Sequence, residues 1–186
     1  MDAIKIEKKY TYADYVKWDD DARYKLIEGV PYMMSSPNYD HQSISMELAY
    51  QIRSFLSDKS CKVLSAPFDI RLNAVKKDDT VVQPDIVVIC DRSKITKSSC
   101  VGAPDMVIEI ISPSTSQFDR LIKFQQYLKH GVREYWIVDP ESRTATVHIL
   151  RKKTYVTNVY GDNDSAPVHV LEGLIINLSA VFNAAV

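Results

Sequence analysis

Two carboxylates near the middle of the chain stand where carboxylates are costly. Asp85 heads the run Ile86-Val87-Val88-Ile89-Cys90, and Glu109 lies inside Met106-Val107-Ile108-Glu109-Ile110-Ile111. Both runs are apolar on their two alternating faces, the pattern of strands covered on both sides. An ionised carboxylate in that setting is unfavourable unless a cation or several hydrogen bonds compensate it. The segment that follows offers the cation. Asp119, Lys123 and Tyr127 recur at i, i+4 and i+8, one face of a helix. Carboxylates on two adjacent strands with a lysine beside them suit a hard divalent cation and an activated water. Oxygen ligands point to Mg²⁺ or Mn²⁺.

A second Pro-Asp pair, Pro104-Asp105, competes with Pro84-Asp85. Asp105 lies four residues before Glu109 on one strand, about 13 Å away at ~3.3 Å per residue, too far to share an ion. Asp85 carries no such veto if its strand neighbours that of Glu109. Asp119 could orient Lys123, and Tyr127 could donate to a carboxylate. If a cation and a lysine both compensate Glu109, Glu109→Gln should cost little stability, because removing charge from a crowded carboxylate cluster relieves like-charge repulsion.

The elements that must position these groups follow from the pattern on either side. Thr11 is a plausible N-cap for a short helix over 12–18, and 24–34 reads as a hairpin turning at Gly29. Ser35-Ser36-Pro37-Asn38 leads into a helix over 39–56, whose Ile44, Leu48, Ile52 and Phe55 face a core. Strands are expected at 62–66 and 68–72, with a basic hairpin loop over 73–80. The stretch 91–103 reads as a surface loop carrying no chemistry. Ser112-Pro113-Ser114-Thr115-Ser116 is a capping turn for the Lys123 helix, which His130-Gly131 closes. A strand over 134–139 and a meander at 144–150, 153–160 and 167–170 follow, then a short helix over 178–182. No repeat or linker interrupts 1–186, so one α/β domain with a charged arm at 1–10 is expected.

At this point the residues resemble a known family. Pro84-Asp85, the Glu109 strand and the Lys123 helix are similar to the PD-(D/E)xK nuclease superfamily, and most closely to its Uma-type restriction endonucleases. The resemblance rests on Tyr24-x-Leu26-Ile27-Glu28-Gly29, Pro37-x-x-x-His41, Pro67-Phe68-Asp69-x-Arg71, Gln83-Pro84-Asp85, Glu109-x-x-Ser112-Pro113-Ser114-Thr115 and Gly131-Val132-x-Glu134-Tyr135-Trp136. It implies a restriction-endonuclease-like α/β fold: a mixed sheet flanked by helices, with additional β-hairpins. It also implies Mg²⁺-dependent hydrolysis of DNA, with Asp85 and Glu109 as metal ligands and Lys123 as a catalytic residue. Glu28 would be a further acidic site residue, against the plainer reading of an exposed hairpin carboxylate. His41 would position water or phosphate, against a capping or solvated histidine. Gln83, Asp119 and Tyr127 would support the site. The superfamily's lysine, two residues after the glutamate, is Ile111 here, and Lys123 is its replacement.

Composition sets limits on this reading. Apolar residues are 46% and charged residues 25% of the 186, as in a soluble globular chain. The N-terminus MDAIKIEKKY lacks the apolar core of a signal peptide, so a cytoplasmic location is the default expectation. Cys61, Cys90 and Cys100 are odd in number and lack metal-site spacing; Cys90 is expected to be a small core residue. The net charge of −1 provides no overall basic footprint for DNA, and Lys76-Lys77 and Arg151-Lys152-Lys153 read as solvated loop charges. A homodimer could assemble a basic cleft that one chain lacks. Two alternatives stay open: an inactive nuclease-fold binding or scaffold module, and hydrolysis of a smaller phosphodiester in a closed pocket.

Overall fold

The two apolar runs pair with each other at the centre of a six-stranded sheet. In the computed structural model, which describes residues 8–19, 22–34, 36–111 and 119–185, β6 (Ile86–Ile89) lies antiparallel to β8 (Met106–Ile110). The sheet runs β3 (Lys62–Ser65), β6, β8, β9 (Glu134–Asp139), β10 (Thr144–Arg151), β11 (Thr154–Gly161), and β8 is parallel to β9. A parallel neighbour needs a crossover, and a helix supplies it. Its described part runs from a π-helical turn (Asp119–Lys123) into α3 (Phe124–His130), ending at Gly131 in the left-handed conformation, φ 81°.

Alternation along β6, β8 and β9 divides the core into two faces. On one, Ile86, Val88, Ile108, Ile110, Trp136 and Val138 meet Ile44, Leu48 and Ile52 of α2 (Tyr39–Phe55) and the C-terminal α4 (Leu178–Asn183). On the other, Val87, Ile89, Val107, Ile111, Tyr135 and Ile137 meet Tyr127 of α3 and the apolar side of a second sheet. That sheet has five strands in the order β2 (Val30–Met33), β1 (Tyr24–Ile27), β5 (Val81–Val82), β4 (Asp69–Arg71), β7 (Ser99–Val101). The mixed α/β architecture expected from the sequence is therefore present, hairpins included.

Four local expectations differ from the structure. Residues 91–103 are not a plain loop, because 92–94 form a 3₁₀ turn and β7 pairs parallel with β4. The segment near 167–170 does not extend the meander; β12 (Ser165–Pro167) pairs with β13 (Ile175–Asn177) as a separate ribbon. Cys90 is bonded to Cys61 in a disulfide. The register that sets Lys62 opposite Ile89 also sets Cys61 opposite Cys90, an adjacency invisible in sequence spacing. The helix over 12–18 is shorter, α1 (Tyr12–Tyr15), with Thr11 at its N-cap. The capping turn 112–116 lies outside the described residues.

One buried acid ties the second half together. Glu134 is fully buried and accepts from Trp136 Nε1–H at 2.7 Å and from the Val170 amide at 2.8 Å. Burial, the largest influence, raises its pKa, partly offset by these two donors. A raised acid pKa adds stability below the ordinary value of 4.5, and that stability is lost as pH rises through the folded value. Glu134→Gln removes this dependence and leaves one buried N–H poorly matched, a cost of about 1–3 kcal/mol. The melting-temperature advantage of wild type over Glu134→Gln should therefore shrink as pH rises from 4.5. A difference that is constant with pH would refute it.

Candidate active site

The register that pairs Ile86 with Ile108 carries Asp85 to a position across from Glu109. Asp85 turns its carboxylate toward β8, where Oδ2 accepts the Ile110 amide proton at 2.7 Å. His41 approaches the same oxygen with Nε2 at 3.1 Å; a carboxylate only accepts, so Nε2 carries the proton. His41 is held there because Asn38 caps α2 and accepts the His41 amide at 3.0 Å. Burial disfavours the imidazolium, but the Asp85 hydrogen bond and charge, the Glu109 charge and the Ile110 backbone together raise the His41 pKa. Both carboxylates thus act on one ring.

Glu109 is 2% exposed and lies on the sheet face that α3 covers. Lys123 Nζ is 2.7 Å from Glu109 Oε2, with both side chains at or below 5% exposure. Tyr127 donates its hydroxyl to Oε1 at 2.6 Å. Lys123 and Tyr127 are four residues apart, so one helical face delivers both to a single strand residue. Ile111 belongs to the same side of the sheet as Tyr127. Lys123 therefore reaches, from the helix, the side of β8 that a lysine at position 111 would occupy.

Glu28 and Gln83 have other partners. Glu28, at the β1–β2 turn with φ 50°, is half exposed and accepts from Lys129 Nζ at 2.6 Å and Gln126 Nε2 at 3.3 Å. Those partners lower its pKa, the Lys129 hydrogen bond most. Both partners lie on the helix that carries Tyr127. Gln83 is engaged elsewhere: its Nε2 donates to Asp69 Oδ1 at 2.9 Å and to the Tyr15 hydroxyl at 3.1 Å, and its Oε1 accepts from Arg23 at 3.1 Å. Within that chain of contacts, burial first and then Asp69 push the Tyr15 phenol up to about 12. The side chain of Asp119 lies outside the described residues. Its backbone starts the π-helical turn, so regular α spacing applies from Lys123 onward and not from Asp119. Asp105, by contrast, is occupied structurally, accepting the Cys90 amide at 2.7 Å and Arg133 at 3.0 Å.

Two features of the structure had no signature in the sequence. The Ile110 amide anchors Asp85, and main-chain groups leave no residue code. The Tyr15–Asp69–Gln83–Arg23 chain joins four segments that only the second sheet brings together.

The donor set fits a divalent cation. Asp85 Oδ1 makes no hydrogen bond among the described residues, which leaves one carboxylate oxygen for such an ion. No group of three or more His, Cys, Asp or Glu gathers as a metal cage among the described residues. Two carboxylates are the protein share typical of Mg²⁺, which keeps several waters.

Residues 12–179 match the family model described as "Uma2: Putative restriction endonuclease". The chain belongs to the Uma2 family. The Uma2 match covers Asp85, Glu109, Lys123, Tyr127, His41 and Glu28 alike. Among curated relatives are two uncharacterised proteins of Synechocystis. One is 26% identical over 72% of this chain and 70% of its own length; the other is 24% identical over 75% and 80%. Among solved structures, a putative nuclease belonging to DUF820 from Anabaena variabilis superposes with a TM-score of 0.77. At 22% identity, across 95% of this chain and 99% of that one, the likeness speaks for a shared fold. No helix among the described residues of this Uma2 chain is long and apolar enough to cross a membrane.

Proposed function

We propose that this chain is a metal-dependent endonuclease that hydrolyses DNA phosphodiester bonds. The observation that carries the reading is the buried Glu109–Lys123–Tyr127 contact beside Asp85. Asp85 and Glu109 would hold Mg²⁺ or Mn²⁺. Such an ion, when bound, lowers the pKa of water and steadies charge on a phosphoryl group. The protein's own groups do the rest. Lys123 Nζ lies 2.7 Å from Glu109 Oε2, and it serves first as a donor to negative charge developing on a phosphate oxygen. Tyr127 fixes the second Glu109 oxygen and so limits rotation of the carboxylate. His41 and the Ile110 amide both contact Asp85 Oδ2 and together orient the carboxylate. A homodimer and a cytoplasmic setting remain parts of this proposal.

The test is a cleavage assay with Mn²⁺ on supercoiled, linear and single-stranded DNA. Cleavage should appear on at least one form and fall by about 10³ or more in Glu109→Ala, several kcal/mol of lost charge stabilisation. Absence of cleavage on every form would overturn the reading.

A second reading has one observation in its favour. Lys123 already neutralises Glu109, so a scaffold module could keep the pair as structure alone. Calorimetric titration with Mn²⁺ separates the two: the nuclease binds one ion per site and loses it in Asp85→Ala, whereas a scaffold binds none.

A further inference from the structure

A second feature lies at the far end of the same helix. A cleft of about 600 Å³ opens between Lys9, the 73–80 loop and the end of α3. It is lined by Lys9, Lys76, Lys77, Lys129 and His130, with Glu28 among the acids facing them. We propose that this cleft binds a phosphate group of the nucleic-acid strand, outside the Asp85–Glu109 site; the assignment rests on the nuclease reading above.

Charge is the first argument. The cleft holds four lysines against two acids, Glu28 and Asp79, in a chain whose net charge is −1. Both acids are already engaged. Glu28 is paired with Lys129 at 2.6 Å, and Asp79 Oδ1 accepts from Asn73 Nδ2 at 2.6 Å and from the Thr80 hydroxyl at 3.3 Å. Lys9, Lys76 and Lys77 have no ion-pair partner among the described residues. His130 Nε2 is buried and makes no hydrogen bond. The basic pair that looks like solvated loop charge in the sequence is thus concentrated on one concave surface, where field lines focus.

The second argument is that the cleft is built. Asn73 Oδ1 accepts the amides of Asp79 and Thr80 at 3.2 and 3.1 Å, and Arg71 grips Asp78 through two hydrogen bonds at 2.9 and 2.6 Å. This fixes the loop that carries Lys76 and Lys77. Lys9 rests its stem on Gly29, where an added Cβ would approach Lys9 Cβ to 2.8 Å. Lys129 is fixed by Glu28.

Position is the third. His130 is seven residues beyond Lys123, and so returns to the same helical face. At 1.5 Å per residue the separation along the axis is about 10 Å. A strand rises ~3.4 Å per nucleotide, so a phosphate about three nucleotides from the scissile bond falls within reach. The volume also suits a nucleotide-sized group.

The experiment measures binding without hydrolysis. A fluorescein-labelled DNA 12-mer, single-stranded and as a duplex, is titrated with the full chain in EDTA at several salt concentrations. Lys76→Ala with Lys77→Ala should weaken at least one form about tenfold. It should also flatten its log–log salt slope by about 1.4 (single strand) to 1.8 (duplex), the change expected when two phosphates are no longer neutralised. Lys76→Glu with Lys77→Glu should weaken it further, while Lys152→Ala with Lys153→Ala should change neither quantity. Unchanged affinity in the cleft variants, or an equal loss in the control pair, would overturn the proposal. So would lysine-dependent binding of 5′-dAMP with DNA affinity unaltered, since the cleft would then hold a free nucleotide. Because EDTA removes catalysis, a chain that binds DNA through these lysines but never cleaves it refutes the nuclease reading alone.

Discussion

Lys123→Met is expected to abolish Mn²⁺-dependent cleavage and to lower the melting temperature of the metal-free protein by roughly 10 °C. The first effect follows from position. Lys123 Nζ is 2.7 Å from Glu109 Oε2, on the side of β8 where position 111 of the superfamily pattern carries lysine. Methionine keeps the stem and removes the donor. The second effect follows from burial. Glu109 is left as a carboxylate at 2% exposure with its cation gone, and breaking a buried pair costs about 3–5 kcal/mol. In a chain of this length each kcal/mol shifts the melting temperature by roughly 2–4 °C. Adding Ile111→Lys should restore part of both, because i and i+2 share a strand face. Full cleavage by Lys123→Met would exclude the lysine from the chemistry. A melting temperature within about 2 °C of wild type would show that the pair is not buried as described.

Glu109→Gln carries the other large effect, and the structure reverses the expectation from sequence. A carboxylate crowded by other acids would gain from neutralisation, which made the substitution look harmless. Glu109 instead has Lys123 on one oxygen and the Tyr127 hydroxyl on the other. Neutralising it removes the carboxylate charge beside a lysine at 5% exposure. Glu109→Gln should therefore cost about 3–5 kcal/mol in metal-free protein and lower cleavage by about 10³. Combining it with Lys123→Met should recover most of the stability and none of the activity, since replacing both buried charges is often neutral. Denaturant unfolding of the four proteins measures the coupling. Additive losses in the double variant would mean the two residues do not form a pair in solution.

Much of this was legible before any coordinates. Valine and isoleucine on both faces of β6 and β8 require two covered faces, and two such strands so close in sequence invite pairing. A glutamate inside one of them demands a partner, and the i, i+4 spacing of Lys123 and Tyr127 supplies two from one helical turn. The partners of Glu28 and Gln83 were not legible, for a common reason. A residue's type indicates what it can do, but its direction depends on which neighbour offers the better charge or hydrogen bond. Lys129 reaches Glu28, and Asp69 with Tyr15 captures Gln83, across separations that no local pattern encodes.

The sequence by itself determined the buried strands, the long α2 helix, the demand for a cation at Glu109 and the helical face that meets it. These depend on periodicity and on the cost of an uncompensated charge, both local properties. Only the tertiary structure decided the rest. The β6–β8 register sets Asp85 against the Ile110 amide, the β3–β6 register sets Cys61 against Cys90, and Asn38 brings His41 to Asp85. The return of α3 to the second sheet places Lys129 and His130 across from Lys76 and Lys77. Strand register and helix docking are chosen by the sum of many long-range contacts, so no short window of residues can state them.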